Sequence, residues 1–198
     1  MVDQNLLQAG DLILFHGNGF QPISFGIRTL TQSYWNHVGI IDRVGEDFFV
    51  IEALGKVEKN NIKKYLENKK YDLCVKRLKK DAFENEEEYW FGIKTALERA
   101  NEAVGKSYDV WSIVYLGLYY TLNILWNPVG KLLSGKTNRF DMRSKFFCSE
   151  LVCQVCYKIS SKNDFLFQGK TKQKCNMTTP KDVGKSNNVE YVTGNNKL

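Results

Sequence analysis

HVGIID at 37–42 and DFFVIEA at 47–53, joined by RVGE at 43–46, decide the fold. Both runs are rich in β-branched and aromatic residues, and a short connection containing Gly joins them, which is a hairpin signal. Closing the hairpin symmetrically around Val44 and Gly45 pairs Asp42 with Asp47. Counting back then sets His37 opposite Glu52. Directly opposed residues have Cβ atoms about 4.5–5.5 Å apart. A carboxylate at that distance accepts a hydrogen bond from one imidazole nitrogen, fixes the tautomer and leaves the other nitrogen free to act as a base. A one-residue slip in register would send the two side chains to opposite faces. Glu52 sits inside an apolar run, FVIEALG, and a buried charge there needs a partner.

Outward from the hairpin, LILFH at 12–16 follows the turn signal Gly10-Asp11 and reads as a buried strand. A Gly-rich stretch and a polar-aromatic loop then lead to Trp35-Asn36. Residues 58–70 are charged and helix-permissive, and LCVKRL at 73–78 reads as a further strand. Asn85, followed three residues later by Glu88, resembles a capping box for a helix running to about Val104, with Gly105 placed to stop it. Trp90, Ile93, Ala96, Leu97 and Ala100 recur on it at helical spacing and are expected in the core.

From 110 to 130 there is no charged residue, and the stretch is rich in Trp and Tyr. Its length approaches a membrane span of about 20 residues, but Ser112, Thr121, Asn123 and Asn127 dilute it. It reads as an insertion or lid at about 110–135, with contact to a membrane surface or acyl chain as the alternative. FFCSELVCQVCYKI at 146–159 reads as a helix with Cys148, Leu151, Val152, Val155 and Ile159 on one face. The chain then turns polar. Thr179-Pro180 looks like a helix cap and first residue, and 189–192 an edge strand.

With 198 residues, 43% of them hydrophobic, the chain forms one α+β domain spanning 1–198. The formal charge is +6, but Lys and Arg are scattered among 22 acidic residues, which speaks against a nucleic-acid partner. Five cysteines are an odd number, and the opening MVDQNLLQAGD lacks the pattern of a signal peptide. Free thiols in a reducing, cytoplasmic setting are expected, with membrane association left open. Nothing here speaks to oligomeric state.

A thiol is the natural nucleophile to set beside an imidazole and a carboxylate. Cys148 stands in the first turn of its helix, where unpaired backbone N–H groups and the macrodipole favour a thiolate. Those N–H groups also suit an oxyanion hole. Cys153 and Cys156 lie further along and lack this advantage. Taken alone, such a cysteine is more often a small buried hydrophobe than a nucleophile. His16 is a second candidate base, read as structural or substrate-side. Cys153 and Cys156 form a CxxC, but no second short spacing accompanies it, so a zinc site is not expected.

Five segments in order carry a resemblance: GDLILF at 10–15, WNHVGI at 35–40, VIEA at 50–53, GKSYD at 105–109 and FCSELV at 147–152. They resemble the permuted papain-like cysteine hydrolases of the NlpC superfamily, nearest the YiiX-like branch, which has poxvirus relatives and lies near the lecithin retinol acyltransferase group. The resemblance implies a circularly permuted papain-like fold, with an antiparallel sheet packed against the helix that carries the nucleophilic cysteine. It implies Cys148 as nucleophile, His37 as base and Glu52 as third member, with no cofactor or metal. Family members hydrolyse or transfer acyl groups on peptides, amides or lipids through a thioester. A lipid-directed acyltransferase and an inactive peptide- or lipid-binding member are the alternatives. Thr179-Pro180-Lys181-Asp182 is similar to a late family element, and the 110–135 insertion is long beside a compact member.

Overall fold

The computed structural model describes residues 2–17, 33–108, 145–146, 148–167, 175 and 178–197. In chain order the strands are β1 (Leu12–Gly17), β2 (His37–Val44), β3 (Asp47–Ala53), β4 (Val57–Asn61), β5 (Tyr71–Leu78), β6 (Ser107–Tyr108), β7 (Lys145–Phe146) and β8 (Val189–Gly194). The α-helices are α1 (Lys63–Leu66), α2 (Glu86–Ala103), α3 (Cys148–Val155) and α4 (Pro180–Lys185). Six strands form one sheet in the order β4-β3-β2-β1-β5-β8, every neighbouring pair antiparallel. The short β6 and β7 pair in parallel apart from it.

The sheet is buried on both faces, which is why LILF reads as an unbroken apolar run. Leu12, Leu14, Val38, Ile40 and Ile51 pack with Leu151 and Val152 of α3 and with Ile93, Ala96 and Ala100 of α2. On the other face Ile13, Phe15, Ile41, Val50 and Val75 pack with Ile62 and Tyr65.

The β2–β3 hairpin forms, but its register differs from the symmetric count. Val44 pairs with Asp47 and Asp42 with Phe49, so the turn is Gly45-Glu46, with Gly45 at φ +63° in the left-handed region. The ladder is displaced by two residues from the expected one, and continuing it brings Gly39 opposite Glu52. A displacement of two leaves every side chain on its face. His37 and Glu52 are therefore diagonal neighbours, a spacing that long side chains still bridge.

Residues 57–61 are a strand where helix was expected. The open edge of β3 supplies hydrogen-bonding partners, and β4 takes them, leaving only the single turn of α1 as helix. The cap of α2 is as read, with Asn85 accepting from the Glu88 N–H, although the Glu88 carboxylate reaches back to the Glu84 N–H rather than to Asn85. Trp90 departs from the expected core and is 45% exposed. The buried stripe runs through Tyr89, Ile93, Ala96, Ala100 and Ala103, and Trp90 lies one residue, about 100°, off it. The Thr179 cap carries both hydrogen bonds of a capping box with Asp182 and has Pro180 first in α4.

The expectation of five free thiols is corrected. Cys153 and Cys175 are joined in a disulfide, and Cys74, Cys148 and Cys156 are free and buried. Among the described residues no helix is long and apolar enough to cross a membrane. The lid expected at 110–135 lies outside the described residues, as does Phe147.

Candidate active site

His37 opens β2 at the rim of the sheet, directly paired with Phe15 of β1. Its ring lies 5.3 Å from the Phe15 ring, and it is 3% exposed. Nε2–H donates to Glu52 Oε2 at 2.7 Å, and Glu52 is fully buried. That bond fixes the tautomer and leaves Nδ1 as the nitrogen available on the far side of the ring.

Cys148 supplies the partner there. It is the first residue of α3, 1% exposed, and it lies near enough to His37 to act on the imidazole electrostatically. The His37 ring thus joins the two layers. It touches Phe15 in the cluster on one face of the sheet and Cys148 in the cluster on the other. Strand and helix both begin at this point, so neither backbone has to cross the sheet. Burial alone would push the imidazole down, but the Cys148 charge and hydrogen bond, followed by the hydrogen bond and charge of Glu52, outweigh it and hold His37 up at about 9. An imidazole flanked by a thiol and a carboxyl group, beside the first turn of a helix, suits attack by sulfur on a carbonyl carbon and stabilisation of the resulting oxyanion.

The second oxygen of Glu52 is also engaged. Oε1 accepts from the Tyr65 hydroxyl and, at 3.2 Å, from Asn60 Nδ2. Neither residue was singled out in the sequence. Asn60 belongs to β4, where it pairs with Val50, and Tyr65 is the buried residue of α1. A strand reading of 57–61 with Asn60 on the Glu52 face would have been the signal.

His16 stands apart from this line. Its ring stacks on Tyr34 at 3.9 Å, and Nδ1 lies 2.6 Å from the Tyr34 carbonyl oxygen. These contacts fasten β1 to the segment that leads into β2. Burial pushes Cys74 up to about 11 and Cys156 up to about 12, with nearby Lys76 and Arg99 offsetting only part.

The CxxC is divided, with Cys153 in the disulfide and Cys156 held as a neutral thiol. Among the described residues no group of three His, Cys, Asp or Glu side chains is placed to hold a metal ion.

Neither a protein-family model nor a curated protein matches this chain. Among solved structures, the metalloprotein YiiX from Escherichia coli O157:H7 superposes with a TM-score of 0.60 at 17% sequence identity, covering 95% of this chain and 97% of that one. The chain therefore has a YiiX-like α+β fold over nearly its whole length.

Proposed function

We propose that this chain is a cysteine hydrolase of the permuted papain-like kind that cleaves an amide or ester bond, with Cys148 as nucleophile, His37 as acid and base, and Glu52 as the group that orients His37. The observation that carries this reading is the buried His37 bonded to Glu52 at 2.7 Å and held up by the neighbouring Cys148 at the start of a helix. The order in the chain, histidine and carboxylate first and cysteine last, is that of the permuted families.

Sγ of Cys148 adds to the carbonyl carbon, and the oxyanion is held by N–H groups of the first turn of α3. As the intermediate collapses, His37 gives its proton to the leaving amine or alcohol and a thioester remains. His37, now neutral, takes a proton from water. The hydroxide adds to the thioester, and the carboxylic acid leaves as Cys148 returns to the thiolate. No cofactor enters. The YiiX structure is described as that of a metalloprotein; among the described residues of this chain no group of three His, Cys, Asp or Glu side chains is placed to hold a metal ion.

Labelling the purified chain with a small thiol-directed electrophile, with mass spectrometry to locate the adduct, tests the reading. Cys148 is expected to label at neutral pH well ahead of Cys74 and Cys156. The advantage should disappear in His37→Ala and survive in His16→Ala. Equal labelling of the three thiols would reduce the chain to a binding protein on this fold. Glu52→Gln should slow labelling less than His37→Ala does. A panel of peptide amides, simple esters and lipid esters then separates a peptidase or amidase from a lipid-directed acyltransferase.

A further inference from the structure

We propose that Tyr65 and Asn60 are positioning residues that act through Glu52, holding its Oε1 so that Oε2 stays on His37 Nε2. The proposal rests on the reading of Cys148, His37 and Glu52 above and adds two members to that line.

The terminal torsion of a glutamate side chain is broad, with no deep staggered wells. A buried carboxylate bonded only to an imidazole would swing about that torsion and vary the direction in which it holds the ring. Here the two oxygens have separate partners. Oε2 takes the imidazole, and Oε1 takes the Tyr65 hydroxyl and the Asn60 amide. Both donors are themselves held. Tyr65 is 1% exposed, and its ring is wedged edge-on between Phe15 at 5.0 Å and Tyr71 at 5.9 Å. Phe15 in turn lies against the His37 ring, so one aromatic contact braces both ends of the Glu52 bridge. Asn60 is fixed by strand pairing, since β4 sets Asn60 against Val50 and Glu58 against Glu52. Its amide lies diagonally across from the carboxylate that it serves.

The local sequence is consistent with this use. α1 is a single turn with no side-chain cap, and Tyr65 is its one buried residue. A helix so short does not hold itself together. Its inward side chain is an aromatic whose hydroxyl ends on Glu52 rather than an aliphatic that would pack as well.

The test is a double-mutant cycle read by Cys148 labelling across pH, in the full chain, with fold monitored by circular dichroism. Tyr65→Phe keeps the ring and removes the hydroxyl. It is expected to slow labelling about tenfold, the worth of one hydrogen bond to a charged group, and to displace the alkaline limb of the profile to lower pH as Glu52 loses its hold on His37. In a Glu52→Gln background the same substitution should change nothing further, because its route runs through Glu52. A profile that superposes on wild type, or an equal slowing in the Glu52→Gln background, overturns the proposal. Asn60→Ala enters the same cycle and decides the question should Tyr65→Phe not fold. A wild-type Cys148 no more reactive than Cys74 overturns both this proposal and the hydrolase reading. An activated Cys148 indifferent to Tyr65 and Asn60 overturns this one alone.

Discussion

A folded-state pKa of about 9 at His37, against about 6.5 for an unperturbed histidine, makes a statement about stability as well as chemistry. The folded chain holds this proton more tightly than the unfolded chain. The stabilisation is therefore complete below about pH 6.5 and is lost as pH rises through about 9. The loss should amount to a few kcal/mol, and urea unfolding at stepped pH should show it in wild type and not in His37→Gln. Gly39 gives a second expectation at this scale. A Cβ there would lie 2.7 Å from Val50 Cγ1, 3.0 Å from the Ile51 carbonyl oxygen and 3.3 Å from Glu52 Cβ. Gly39→Ala should cost about 1–3 kcal/mol of stability and slow Cys148 labelling as Glu52 is pushed from its place. An alanine variant as stable and as reactive as wild type would show that this part of β2 yields freely.

Among the elements, those with strong local signals were legible. β1, β2, β3 and β5 announced themselves through β-branched and aromatic runs, α2 through its Asn85 cap and apolar period, and α4 through Thr179-Pro180. β4 did not, because VEKNN at 57–61 carries no apolar alternation. An edge strand needs only a free neighbour to bond with, and that neighbour is β3. The same gap hid Asn60 and Tyr65, whose place beside Glu52 depends on β4 being a strand. That His37 and Glu52 share a face was legible from the parity of the hairpin; the register depended on how Gly45 turns. The disulfide was not legible, since pairing of Cys153 with Cys175 is decided by tertiary packing. It ties α3 to the segment from which Ser149 also takes a hydrogen-bond partner, the Thr178 carbonyl, at 2.7 Å. Labelling the unfolded chain without reductant should mark three thiols, and marking all five would refute the staple. Cys175→Ser should lower the unfolding free energy by about 3 kcal/mol, the loop-closure value for a separation of this size.

Across the whole molecule, the two faces of one antiparallel sheet do different work. The α1 side braces the carboxylate, the α3 side brings the thiol, and His37 stands where the two meet. The order of these parts along the chain has a consequence for synthesis. His37 and Glu52 lie 15 residues apart, within one hairpin, and leave the ribosome close together. Cys148 follows about a hundred residues later, after a loop whose closure costs about 1–2 kcal/mol more. A nascent chain thus carries the imidazole and its carboxylate well before any thiol can reach them. The sulfur chemistry proposed here would be switched on only once Cys148 has followed them, which spares the cell a nucleophile activated before its site is assembled.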